Sequence, residues 1–367
     1  MAGSTPPGDL MTAAAPTGDA VTAAAHPVAR LVVRPPNWLG DAVLALPALA
    51  AVRQAFPDAH LTVAATAGVT GLFDEITDVR PDAVVELPRG TNAAVAELAP
   101  AHFDLGVLFP NSFRSAWQFR RAGIRERWGY ARAWRGSLLT KAARPPRARH
   151  LHQADYYRAL VRGLGLACGD APPRVAASAR ALQLASTALV RAGLGGDVRL
   201  VGVAPGAAYG QAKQWPPDRM AELCARLVRA HGVKCVLLGA AHDRDAARAV
   251  ESWLRTHAPD ARGGVVSLVG HTNLAAFTGI AARTEVFVSN DSGAMHLAAA
   301  LGRPVVALFG PTDERATRPI GDHDVMFEPV FCRPCMLRDC PIDHRCMKRL
   351  TVDRVLAAVA RRLERRA

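Results

Sequence analysis

The chain has 367 residues, half of them hydrophobic and 21% charged, which is enough apolar material for two ordinary domains and too much for wholesale disorder or a collagen-like repeat. Seven cysteines in so long a chain, four of them within Cys332–Cys346, do not make a secreted disulfide framework, and a reducing compartment fits better. The net charge of +13 points to an acidic partner: nucleic acid, an anionic membrane surface or a phosphorylated substrate.

Residues 1–29 are rich in Ala, Thr, Pro and Gly and carry no Lys or Arg, so they lack the charged start of a signal peptide and are expected to form a disordered tail. The longest apolar run, Ala42–Val52, is eleven residues, well short of the ~20 a membrane span needs. Strand-like runs follow at Arg30–Arg34, His60–Ala64, Asp82–Leu87 and Asp104–Phe109, with a helix-like Asp41–Phe56 after the first. After Tyr130 the pattern loosens into an Arg- and Pro-rich stretch, then a helix is expected around His152–Leu164. A second alternating series has strands at Leu200–Ala204, Lys234–Leu238, Val265–Val269, Glu285–Ser289 and Pro304–Phe309. Strands alternating with helices predict parallel sheets covered on both faces. The divisions are a first α/β domain over 30–170, a linker over 171–197, a second α/β domain over 198–348 and a terminal segment over 349–367. In that last segment Val352, Val355, Leu356, Val359 and Leu363 make the apolar stripe of a helix capped by Thr351.

No G-x-x-x-x-G-K-[ST] occurs, and the first strand–helix turn is Arg34-Pro-Pro-Asn-Trp-Leu-Gly-Asp41 rather than G-x-G-x-x-G. Asp41 opens a helix at the carboxyl end of the first strand, the edge where open α/β sheets bind ligands. It is either a helix-capping acid or a carboxylate able to take a proton from a substrate hydroxyl, and a helix N-terminus weakens it as a base. The corresponding turn of the second series, Ala204–Pro216, holds Gly206, Gly210 and Lys213; the lysine is a phosphate ligand or a solvated side chain. Only four lysines exist in the chain. Val288-Ser-Asn-Asp-Ser-Gly-Ala-Met-His296 ends a strand and opens a helix at Ser292-Gly293, whose free amides suit a diphosphate. Asp291 and His296 either point at neighbouring sugar or phosphate groups or serve as a cap and a buried helix histidine. Asp243 follows a third turn as a ribose ligand or an ordinary first-turn acid.

Between Asn111 and His150 lie eleven basic residues and one acid, interleaved with six aromatics. Such a run can bind single-stranded nucleic acid, an acidic saccharide or a lipid phosphate. Cys332, Cys335, Cys340 and Cys346 have spacing that can close a tetrahedral zinc site, with free thiols or disulfides as the alternatives.

The segments Asn37-Trp-Leu-Gly-Asp-Ala-Val-Leu-Ala-Leu-Pro47, Pro205-Gly-Ala-Ala-Tyr-Gly-Gln-Ala-Lys-Gln-Trp-Pro216, Asn290-Asp-Ser-Gly-Ala-Met-His-Leu-Ala-Ala300 and Leu308-Phe-Gly-Pro-Thr312 resemble glycosyltransferase family 9, the bacterial ADP-heptose:lipopolysaccharide heptosyltransferases. Within it, the Trp-Leu-Gly-Asp and Ala-Lys-Gln-Trp-Pro elements resemble the branch that adds the second heptose. The resemblance implies a GT-B fold: two Rossmann-like domains facing a cleft, acceptor on the first and ADP-sugar on the second, with the terminal helix returning toward the first domain. It implies inverting transfer of L-glycero-D-manno-heptose from ADP-heptose to the first heptose of the inner core, in the cytoplasm, with no cofactor required for catalysis. Asp41 would be the base, Lys213, Ser292 and Gly293 would neutralise the departing diphosphate, and Asp243 would hold the ribose. Asp291 and His296 would contact heptose or phosphates. Arg114, Arg144, Arg147 and Arg149 are the expected contacts to an acidic heptosyl-Kdo-lipid A acceptor and to the inner-membrane surface, rather than to nucleic acid. The cysteine cluster resembles one in a subset of the family, and a structural zinc there would be apart from the chemistry. Transfer to a different acceptor within the family is the nearest alternative; a non-catalytic sugar-nucleotide sensor or a nucleic-acid binder are the other classes.

Overall fold

Short runs of branched apolar residues set the sheets: Leu31, Val32 and Val33 in the first, and Val201 and Val203 in the second, are fully buried, as strands covered on both faces must be. The computed structural model describes residues 27–148 and 150–365, so the expected tail lies, up to residue 26, outside the described residues. The first half carries β1 (Arg30–Arg34), β2 (His60–Ala65), β3 (Ile76–Thr77), β4 (Ala83–Glu86), β5 (Leu105–Leu108), β6 (Glu126–Tyr130), β7 (Lys141–Ala143) and β8 (Val175–Ala176). The second carries β9 (Leu200–Ala204), β10 (Lys234–Leu237), β11 (Val265–Ser267), β12 (Val286–Asn290), β13 (Val305–Phe309) and β14 (His323–Phe327).

One parallel sheet runs β4-β2-β1-β5-β6-β7 and the other β11-β10-β9-β12-β13-β14. Counted from its own first strand, each has the doubly wound Rossmann order, with the reversal between β1 and β5 and between β9 and β12. The two-domain α/β architecture expected from the sequence is therefore present. Its outer strands β6, β7 and β14 were not expected; they carry Glu126, Arg127, Lys141, His323 and Asp324, charged or polar residues tolerated where a sheet approaches its edge.

Two organisational expectations change. The 171–197 segment is more than a connection: β8 pairs antiparallel with β3, and the helix Ala179–Arg191, capped by Ser178, packs against helix Leu274–Ala282. Gly279 makes that packing close, since a Cβ there would fall 2.8 Å from Ala185 Cβ. The terminal helix Val352–Glu364 packs on the second domain, not back on the first. Its stripe Val352, Val355, Ala358, Val359 and Leu363 shares a core with Trp215, Met220 and Leu227. Arg362, 6% exposed, is held by Asp322 at 2.6 Å and by Asp324 at 2.7 Å beside β14, which fixes the helix to that side.

Candidate active site

The turns after β1, β9 and β12 leave their sheets at the two reversal points, where ligands bind in such folds. There the helix Leu39–Ala55 of the first domain packs on the helix Gly293–Ala300 of the second. A Cβ on Gly40 would sit 2.8 Å from His296 Cδ2, and one on Gly293 would sit 3.1 Å from Gly40 N. Small residues in both first turns let the two domains meet.

Asp41 stands in the first turn of its helix but does not cap it; the N-cap is Trp38, with no side-chain capping bond. Burial pushes its carboxyl up to about 6, with nearby Asp291 adding to the rise; the Lys213 charge and a hydrogen bond from Tyr157 pull it back. Gln153 Nε2 donates to the Tyr157 hydroxyl at 2.8 Å, which leaves that hydroxyl's proton for Asp41. The weakening expected from the helix end is outweighed by desolvation. A carboxylate near 6 remains largely ionised at neutral pH and accepts protons better than an ordinary one.

Lys213 is no solvated lysine. Its Nζ lies 2.6 Å from Asp291 Oδ2, the two side chains being 12% and 4% exposed. Thr312 Oγ1 donates to the same oxygen at 2.6 Å. Asn290, fully buried, ties the Lys213 turn to β12: its amide donates to Pro205 O at 2.8 Å and accepts from Trp215 N–H at 3.0 Å. Sequence reasoning assigned Asn290 and Thr312 no role, although both stand in segments that carry the family resemblance; a buried polar residue with both ends of its side chain bonded leaves no local signal.

Ser292 is the N-cap of the 293–300 helix without a side-chain capping bond, and its Oγ lies 3.1 Å from Ser289 Oγ. The first-turn amides at Gly293 thus keep no side-chain acceptor among the described residues. His296 is buried; desolvation lowers its imidazole to about 4, so it is neutral at physiological pH, and its Nδ1 has no hydrogen-bond partner. Asp243 accepts from Ala240 N–H at 2.9 Å through Oδ2 and packs under the glycines of two turns, where a Cβ on Gly239 would lie 2.8 Å from that oxygen. One of its oxygens is therefore committed to holding its own loop.

Part of the basic stretch is drawn into the fold. It folds into helix Phe113–Arg121, β6 and β7. Phe119, Trp128 and Tyr130 are core residues, and Arg135 is fully buried, donating to the carbonyls of Tyr130 and Pro110. Arg127 donates to Leu138 O at 2.7 Å, and Lys141 lies over the Trp128 ring at 4.5 Å. Still exposed are Arg114, near buried Arg34, and Arg120, Arg121, Arg125, Arg132, Arg144 and Arg147, together with the aromatics Trp38, Phe113, Trp117 and Trp134; Arg149 lies outside the described residues. A polar cleft of about 300 Å³ beside them is lined by Asn111, Arg132, Gln153 and Tyr156.

The cysteines are all free, and Cys346 is pushed up by burial and by the proximity of Cys332, Cys340 and Cys335. No group of three or more Cys, His, Asp or Glu side chains among the described residues is arranged to hold a metal ion. His344, a substitute ligand by spacing, has its Nε2 on Ala212 O at 2.7 Å. The expected zinc ligands thus share one loop, with Cys346 near the other three, but as placed they do not form such a group.

The chain is similar to known proteins in sequence and fold. Salmonella typhimurium lipopolysaccharide heptosyltransferase 2 is 29% identical over 306 residues, covering 79% of this chain and 85% of the relative. The structure of Escherichia coli ADP-heptose lipopolysaccharide heptosyltransferase II superposes with a TM-score of 0.79 at 26% identity, covering 92% of this chain and 100% of that one. A family 9 glycosyltransferase structure from Veillonella parvula gives 0.77 at 20% identity over 92% of this chain and 97% of its own, and supports the fold alone. The model of glycosyltransferase family 9 (heptosyltransferase) matches residues 93–345, more than half of the chain. With its two Rossmann sheets meeting at Asp41, Lys213 and Asp291, the chain belongs to glycosyltransferase family 9, the heptosyltransferases.

Proposed function

We propose that this heptosyltransferase of lipopolysaccharide core synthesis moves L-glycero-D-manno-heptose from ADP-heptose onto the first heptose of the inner core, inverting the anomeric centre. The observation that carries the mechanism is the partly buried carboxylate of Asp41, raised to about 6, at the junction with the Lys213–Asp291 pair. The acceptor hydroxyl gives its proton to Asp41 as its oxygen bonds to the anomeric carbon, and the bond from that carbon to the diphosphate oxygen breaks on the opposite face. Charge then gathers on the ADP, where Lys213 and the amides at Ser292-Gly293 neutralise it. On this reading His296 contacts the heptose or phosphates as an uncharged imidazole. No step of this scheme calls on a metal or cofactor.

The acceptor belongs on the first domain, where the polar cleft adjoins Asp41 through Gln153 and Tyr157. Arg114, Arg144 and Arg147 are exposed there to meet carboxylates or phosphates of a heptosyl-Kdo-lipid A acceptor. No helix among the described residues is long and apolar enough to cross a membrane. Peripheral contact with the cytoplasmic face of the inner membrane would rest on those arginines and on Trp38, Phe113, Trp117 and Trp134. The test is transfer from ADP-heptose to acceptors bearing zero, one or two heptoses: product with the one-heptose acceptor alone is expected, and transfer to the heptose-free acceptor overturns the assignment.

A further inference from the structure

The cysteine-bearing loop makes a set of contacts outside its cysteines. Its base is tied down beside Asp291: Arg333 donates to Gly310 O at 2.5 Å and to Thr312 O at 2.8 Å, and pairs with Glu314 at 2.6 Å. Its far side is tied to the Lys213 turn, with Arg338 O accepting from Ala212 N–H at 2.9 Å and His344 Nε2 on Ala212 O at 2.7 Å. Between these ties, Met336 O accepts from the Tyr209 hydroxyl at 2.8 Å. The contact is backbone-close: a Cβ on Gly210 would fall 2.9 Å from Arg338 Cα. The loop is thus anchored at one end beside Asp291 and along its far side on the turn that carries Lys213, and so links the two.

The same loop brings a second cation. The Tyr209 ring has Lys213 Nζ 4.7 Å and the Arg338 guanidinium 5.2 Å from its centroid. Asp291, 2.6 Å from Lys213 Nζ, offsets part of the lysine's charge, so a diphosphate held by Lys213 gains from a second cation beside it. Arg338 is exposed and makes no ion pair within the described residues, so its charge is unspent. We propose that Arg338 is a second cationic ligand of the donor diphosphate, with Tyr209 and His344 as positioning residues that hold it and Lys213 around one ring. The inference rests on the reading of Lys213 as the phosphate site. A planar guanidinium suits this role, since it stacks on an aromatic face and still presents a fork of donors.

The experiment is calorimetric titration of the full chain with ADP and with adenosine, for wild type, Arg338→Gln, Arg338→Lys, Tyr209→Phe and Lys213→Ala. Arg338→Gln is expected to weaken ADP about tenfold, the scale of one charge-assisted hydrogen bond, and to leave adenosine unchanged. Arg338→Lys is expected to recover part of the loss, and Tyr209→Phe, which keeps the ring but frees it from Met336, to weaken ADP less than Arg338→Gln. If Arg338→Gln binds ADP as wild type does while Lys213→Ala does not, the inference fails and the Lys213 site stands. Wild-type ADP affinity in both variants overturns the site and the inference together. Equal loss for ADP and adenosine in Arg338→Gln would show that the residue shapes the loop without touching phosphate, which also overturns it.

Discussion

The two sheets share one strand order, yet the turns at their reversal points treat a carboxylate in opposite ways. Asp41 and Asp291 both stand at the start of a helix, both are withdrawn from solvent, and they influence one another across the domain boundary. Asp291 has an ammonium and a hydroxyl on one oxygen, each at 2.6 Å. Asp41 has a phenol and, among the described residues, no ion pair of its own, so burial dominates and its proton affinity climbs. Position at a helix end therefore does not decide whether a buried acid behaves as a base; the supply of partners does. The first domain keeps its carboxylate under-partnered and reactive, while the second uses its carboxylate to fix a lysine.

The largest effect should come from removing that reactive group. Asp41→Asn keeps the shape and loses the proton acceptor, so turnover should fall by ~10²–10⁴ while ADP binding, measured by calorimetry, persists. Stability should move the other way. With a folded value of about 6 above the ordinary 3.8, the native chain retains a proton that the unfolded chain gives up between those pH values. Stability falls as pH rises through that window, and ionised Asp41 costs up to about 3 kcal/mol at pH 7. Asp41→Asn should thus melt higher than wild type at pH 7 and equally at pH 3; a variant with normal turnover or a lowered melting temperature at pH 7 would contradict the contrast drawn above.

Breaking the other carboxylate's partnership should cost stability instead of adding it. Lys213→Ala leaves Asp291 buried with Thr312 alone, a loss on the scale of 3–5 kcal/mol for roughly complete burial of an unpaired charge. Urea unfolding should show it, and the double variant Lys213→Met with Asp291→Leu should recover much of the loss. An unchanged urea midpoint for the single variant would mean that the ion pair holds nothing.

A finer test concerns the acid limb of the pH–rate profile, where kcat/KM should rise with pH through about 6 as Asp41 ionises. The Tyr157 hydroxyl stabilises the ionised form, so Tyr157→Phe should move that limb to higher pH with little change in the plateau. A limb that stays in place, or moves to lower pH, would remove Tyr157 from the base's environment. The smallest effect belongs to the surface. Arg144→Gln with Arg147→Gln should raise the acceptor KM a few-fold and reduce binding to anionic vesicles at low salt, leave ADP binding alone, and fade as salt screens the wild-type contact. Equal KM at low salt would make these arginines a solvated face.

Much of the frame was legible because central parallel strands are buried on both faces and show as unbroken apolar runs, as in β1, β9 and β13. β6, β7 and β14 were not, since Glu126, Lys141 and Asp324 break the apolar signal where the sheets meet solvent or other elements. The site was legible as separate turns. Gly40-Asp41, Lys213 and Asp291-Ser292-Gly293 each follow a strand, and that placement follows from chain order alone.

Sequence by itself thus determined two parallel α/β domains and the strand–helix turns that carry Asp41, Lys213 and Asp291, because hydrophobic periodicity and strand–helix order are local properties of the chain. Tertiary structure alone decided who meets whom. Lys213 and Asp291 lie 78 positions apart. Arg135 looks solvated in a basic run until the carbonyls of Tyr130 and Pro110 are brought to it, and the terminal helix shows an apolar stripe that names no partner until Asp322 and Asp324 claim Arg362. The value of about 6 at Asp41 belongs to the same class: proton affinity depends on desolvation and on charges folded in from elsewhere, and neither exists until the domains close on one another.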